Sequence, residues 1–149
     1  MKLQNEMSIK FLSRSNNEAF ARAAVAAFAA QTDPTIEELN DIKTAVSEGV
    51  TNAIIHAYPD TVGIVWIRVR ILEDNKVEIT IRDKGCGIED VALAREPMYT
   101  TGGEDRSGMG FTIMESFMDS FKVLSKKGKG TTLKMVKNIS EKVSGGEIR

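Results

Sequence analysis

The sequence predicts an α+β fold: a mixed, mostly antiparallel sheet with helices on one face. Apolar and polar residues alternate over 64–72, 77–83, 120–125 and 131–137, the period of half-buried strands. These strands come in neighbouring pairs joined by short polar turns, Glu73-Asp74-Asn75-Lys76 and Lys126-Lys127-Gly128-Lys129-Gly130. Two further stretches, 16–31 and 36–57, repeat apolar residues at helical spacing.

At 149 residues, with 42% apolar and 28% charged side chains, the chain has the size and composition of one globular domain. The domain is expected over 1–138, with a frayed tail over 139–149. Twenty basic against 21 acidic residues leave a net charge of -1, so no bias toward direct nucleic-acid contact exists. The longest apolar run, 23–30, is too short and too alanine-rich to span a membrane, and the first residues lack a signal-peptide core. One cysteine excludes an intramolecular disulfide framework and one histidine disfavours a histidine-based metal cluster. The cytoplasm is the compartment these features suit.

Residues 8–13 alternate Ile9 and Phe11 with Lys10 and Leu12 and read as a first strand, placed at a sheet edge where a second chain can add. Ser15 with Glu18 suggests a capping box for the first helix, whose positions Phe20, Ala24, Ala27 and Phe28 share a stripe. Glu18 and Arg22, four apart, are either a solvated ion pair or charge offered to a partner. After Asp33-Pro34, a second capping box, Thr35 with Glu38, opens the longest helical pattern. Its core stripe is Ile36, Leu39, Ile42, Val46, Val50, Ala53 and Ala57, and Pro59 stops it. Glu48 and Asn52 lie one turn apart where its exposed half becomes its buried half.

Carried one step further, the inward row Val77, Ile79, Ile81 turns Asp83 toward the core. A carboxylate there requires donors. Gly85 and Gly87 behind it allow a sharp turn and leave room for a flat guest whose amino group pairs with the acid. Capping a short helix from Ile88, or forming a turn, is the blander meaning of an isolated D-x-G-x-G. Pro97, Thr100-Thr101, Gly102-Gly103 and Glu104-Asp105-Arg106 break regular structure over 96–107, as a lid would. Ser107-Gly108-Met109-Gly110 then opens a helix with Phe111, Ile113, Met114, Phe117 and Met118 as apolar positions, its first amides suited to an anion. In the last strand Thr131 shares the inward face of Leu133 and Met135.

Glu48/Asn52, Asp83/Gly85/Gly87, Gly108/Gly110 before a helix and Gly130-Thr131, in that order, resemble the motifs of the Bergerat-type ATP-binding α/β sandwich. That superfamily includes gyrase, the ninety-kilodalton heat-shock chaperones, sensor histidine kinases and mismatch-repair ATPases. The resemblance implies ATP and ADP as ligands, with Asp83 accepting the adenine amino group, assisted by Thr131 through a shared water. It implies Asn52 as a ligand of Mg2+ and Glu48 as the catalytic base of phosphoryl transfer. Thr101, Arg106, Ser107, Gly108, Met109 and Gly110 would complete the nucleotide site around the phosphates, with Arg106 as a charge clamp. Glu48 as a plain surface carboxylate is the competing reading. His56 suits a structural role and Cys86 an incidental one.

The segments Ser47-Glu48-Gly49-Val50-Thr51-Asn52-Ala53-Ile54-Ile55-His56 and Arg106-Ser107-Gly108-Met109-Gly110-Phe111-Thr112-Ile113-Met114 are similar to the bacterial anti-sigma factor serine kinases, over about 7–137. The sporulation branch is the nearer and the stress-response branch the runner-up. This resemblance implies a homodimer that binds a sigma factor (sigma F in sporulation) and phosphorylates a serine of a small anti-anti-sigma protein. The first strand would supply the dimer contact, and Glu18 with Arg22 the partner surface. A sequestering module without turnover and a detached histidine-kinase catalytic domain are the competing classes.

Overall fold

The computed structural model describes residues 2–88, 91 and 110–141. Five strands, β1 (Leu3–Leu12), β2 (Ile64–Leu72), β3 (Lys76–Asp83), β4 (Ser120–Lys126) and β5 (Gly130–Asn138), form one sheet in the order β1-β2-β3-β5-β4. All four ladders are antiparallel. Among the described residues the longer helices are α1 (Asn17–Ala29), followed by a 3-10 turn over Ala30–Thr32, α2 (Ile36–Asn52) and α3 (Gly110–Phe117).

Strand alternation decides which face of the sheet they cover. Val65, Ile67, Val69 and Ile71 of β2 and Val77, Ile79 and Ile81 of β3 are buried, as the period of two requires. Leu133 and Met135 of β5 join them, and Ala21, Val25, Val46, Val50 and Met114 close the core from the helices. On the opposite face Trp66 stays partly exposed, with the Arg82 guanidinium 4.7 Å and the Lys84 ammonium 5.2 Å from its ring centre. The β2–β3 hairpin turns on Asp74 and Asn75, both at left-handed φ, the twist that tight hairpins need.

The Thr35 capping box forms as expected: Glu38 N–H donates to Thr35 Oγ1 at 3.0 Å and Thr35 N–H to Glu38 Oε1 at 2.8 Å. The Ser15 box does not. Asn16 enters α1 already in right-handed helical geometry, Glu18 N–H donates to the Ser15 carbonyl, and no side chain caps the helix. The fully buried residues of α1 are Ala21, Val25, Ala26 and Ala29; of the expected stripe Phe28 packs partly buried against the core and Ala24 is half-buried, while Phe20 and Ala27 are exposed. Small residues let this helix lie close, while Phe20 is 53% exposed and meets Phe11 edge-on at 6.4 Å. Ile36 is likewise exposed, because the first turn of α2 projects past the core. After β5, Ile139 is buried and Ser140 N–H donates to Glu38 Oε2 at 2.9 Å. Among the described residues no helix is long and apolar enough to cross a membrane.

Candidate functional site

Asp83 ends β3 facing inward and is 7% exposed. Its Oδ1 accepts two main-chain N–H groups, from Gly85 at 2.9 Å and from Thr131 at 3.1 Å. Among the described residues no donor reaches Oδ2. Burial pushes the carboxyl above its ordinary value, against the pull of the two N–H donors. The result is a fixed, desolvated acceptor whose second oxygen is available to a guest.

The ladders set its neighbours. Asp83 pairs with Thr131 on β5, and Thr131 pairs with Ser125 on β4, so three polar side chains form one inward row. The hydroxyls of Ser125 and Thr131 are 2.7 Å apart, and Ile88 N–H donates to Ser125 Oγ at 2.8 Å.

Beyond Asn52 the second helix widens into a π turn over Ala53–Ala57, a local irregularity that turns its last carbonyls toward the Asp83 loop. The Ala57 carbonyl accepts Cys86 N–H at 3.0 Å, and the His56 carbonyl lies 3.1 Å from Cys86 Sγ. A side chain at Gly85 would collide with the Ala57 carbonyl, which explains glycine there. Tyr58 secures the same loop: its hydroxyl accepts Lys84 N–H at 2.8 Å and donates to the Ile64 carbonyl at 2.9 Å. On the other side Gly128 N–H donates to the Cys86 carbonyl. The loop after Asp83 is therefore held between the end of α2 and the β4–β5 turn.

Glu48 and Asn52 are half-buried on α2. Gly49 between them would, as alanine, put its Cβ 2.6 Å from Ile81 Cδ1 and 3.4 Å from Leu133 Cδ1, so glycine sets how closely this turn approaches the sheet. Glu48 Oε1 lies 3.4 Å from where a Cβ on Gly110 would stand, which brings the carboxylate to the start of α3. Asp83, Gly85, Gly87 and Thr131 thus gather at one end of the sheet, and Glu48 and Gly110 meet at the α2–α3 contact. Thr101, Arg106, Ser107, Gly108 and Met109 lie outside the described residues. Glu18 and Arg22 pair at 3.7 Å on α1.

Gly49, Tyr58 and Ser125 belong to the site without having been singled out from the sequence. Ser125 continues the inward phase of Phe121 and Val123, and a glycine inside a helical pattern signals close packing. Nothing local marks Tyr58.

This arrangement is that of a histidine kinase-like ATPase domain, and the model of that family matches residues 11–137. Among solved structures, the RsbU and RsbW domains of a Mycobacterium tuberculosis protein share the fold. The TM-score is 0.70 at 19% identity, covering 93% of this chain and 34% of that one. A histidine kinase domain from Erythrobacter litoralis shares it at TM-score 0.56 and 22% identity, over 82% of this chain and 60% of that one. Closer in sequence are two proteins named Anti-sigma F factor. The one from Caldanaerobacter subterraneus subsp. tengcongensis is 59% identical over 93% of this chain and 97% of its own length. The one from Clostridium acetobutylicum is 53% identical over 93% and 96%. The chain belongs to the anti-sigma F factor family of histidine kinase-like ATPase domains.

Proposed function

We propose that this chain is an ATP-dependent protein serine kinase that binds and inhibits a sporulation sigma factor, sigma F, and phosphorylates a small anti-anti-sigma protein. The observation that carries the nucleotide part is the buried Asp83 carboxylate. One oxygen is saturated by main-chain donors and the other lacks a protein donor among the described residues, so an adenine amino group is its natural partner. The partner part is supported by the printed names of relatives 59% and 53% identical over nearly their whole length.

Glu48 takes the proton of the substrate serine while the serine oxygen bonds to the γ-phosphorus and the bond to the bridging oxygen breaks, releasing ADP. Asn52 offers one neutral oxygen, and among the described residues no three His, Cys, Asp or Glu side chains cluster as a metal site. That donor set suits Mg2+ arriving with the nucleotide and keeping its waters, and the bound ion would neutralise phosphate charge. On sequence grounds alone, Thr101, Arg106, Ser107, Gly108 and Met109 extend the site toward the phosphates. A homodimer and a partner surface at Glu18 and Arg22 belong to the same reading. Among the described residues β1 has a ladder neighbour on one side only, and the Arg22 side chain is 41% exposed.

The test is transfer of labelled phosphate from ATP, with magnesium, to the small anti-anti-sigma protein of the same organism. Acid-stable label is expected on the partner, and Glu48→Gln should reduce transfer about 100- to 10,000-fold with nucleotide binding retained. Binding without transfer would leave a sequestering module, and acid-labile label would indicate a histidine acceptor.

A further inference from the structure

The row Asp83, Thr131, Ser125 contains one group whose protonation geometry is not settled by its neighbours. A serine hydroxyl has one proton and two acceptor lone pairs. Ser125 Oγ accepts Ile88 N–H at 2.8 Å, and its proton can point either to the Gly130 carbonyl at 3.1 Å or to Thr131 Oγ1 at 2.7 Å. These two directions have opposite consequences for Thr131.

If Ser125 donates to the Gly130 carbonyl, Thr131 donates to Ser125 and turns only lone pairs toward the site. Asp83 Oδ2 also offers only lone pairs. If Ser125 donates to Thr131, the Thr131 proton is released toward the site, so the row presents an acceptor beside a donor. An adenine edge carries an amino donor beside the ring-nitrogen acceptor N1. It matches the second arrangement, directly or through a bridging water. Thr131 is 9% exposed and its main-chain N–H is committed to Asp83, so neither its backbone nor a large rotation can replace the hydroxyl.

We infer that Ser125, by donating its hydroxyl proton to Thr131 while Ile88 N–H holds its oxygen in place, orients the Thr131 hydroxyl toward the N1 edge of a bound adenine. Ser125 is thus a positioning residue for base recognition. This rests on the nucleotide reading above and adds to it a residue of β4 that touches no nucleotide itself. The relay is anchored at Ile88, just past Gly87, so the geometry of the Asp83 loop and that of the hydroxyl row are coupled.

The experiment is calorimetric titration of the full chain with ATP and with 1-deaza-ATP, in which ring N1 is a C–H group. Wild type, Ser125→Ala and Ser125→Thr are compared. Wild type should prefer ATP by about tenfold, the worth of one oriented hydrogen bond. Ser125→Ala should lose about tenfold in ATP affinity while the analogue changes by less than about twofold, and Ser125→Thr, which keeps the hydroxyl, should restore ATP binding to within about threefold. Equal losses for both nucleotides in Ser125→Ala would mean a purely structural serine and overturn the inference, as would a wild type that does not distinguish the two. A wild type that binds neither would overturn the nucleotide reading itself.

Discussion

Gly49 and Ile81 touch so closely that a methyl group on the helix would stand 2.6 Å from the isoleucine Cδ1. The contact sits between Glu48 and Asn52 on the helix side and two residues before Asp83 on the strand side. It therefore sets the distance between the two halves of the site.

Gly49→Ala should destabilise the protein by about 1–3 kcal/mol, because Ile81 is 2% exposed and has no room to retreat. It should also lower phosphoryl transfer more than nucleotide affinity, since the displacement falls on Glu48 and Asn52. Ile81→Val removes the colliding Cδ1 and should recover much of the stability in the double variant. Chemical denaturation of the four proteins of the cycle checks this.

Asp83→Asn should reduce ATP affinity by more than about 30-fold, because an amide N–H2 would face the adenine amino group. Its effect on the nucleotide-free protein has the opposite sign. The folded-state carboxyl titrates above its ordinary value of 3.8, so its favourable contribution is present below the unfolded value and lost as pH rises through the folded one. The asparagine variant carries no such loss. Its melting temperature should exceed that of wild type at neutral pH, and the gap should close toward pH 4.

Glu38 titrates in the other direction. Burial raises its carboxyl, but hydrogen bonds from Thr35 and Ser140 outweigh that and leave it below 4.5. Its contribution is present above the unfolded value and lost as pH falls through the folded one. Glu38→Ala should cost about 1 kcal/mol near neutrality, the worth of a lost cap, and less at pH 3. Urea unfolding at the two pH values measures the difference.

Tyr58→Phe removes the acceptor for Lys84 N–H and the donor to the Ile64 carbonyl. A loss of about 1–2 kcal/mol in stability is expected, with adenine-nucleotide affinity falling several-fold as the loop after Asp83 loosens. Amide exchange at Lys84 and Cys86 should quicken in the variant.

Period and turn chemistry made most of the architecture legible in the chain itself. The hairpin over 64–83, the Thr35–Glu38 capping box and the inward turn of Asp83 and Thr131 all follow from spacing that local sterics enforce. The details of the first helix do not follow from the sequence, because periodicity shows that a stripe exists, not which residues of an alanine-rich helix are pressed against the sheet. Phe20, apolar and in phase, ended at the surface beside Phe11, while alanines took the core.

The partners within the site were decided only by the fold. Thr131 lies 48 residues from Asp83, and their bond exists because the β3–β5 ladder aligns them. Ser125 reached Thr131 through the next ladder, and Tyr58 reached Lys84 through a π turn that no local pattern announces. The sequence by itself determined which residues carry charge, turn sharply or face inward, since each property depends on a few adjacent dihedrals. Tertiary structure decided which of them meet, because hydrogen bonds reach about 3 Å and only the packed chain brings such distant residues that close.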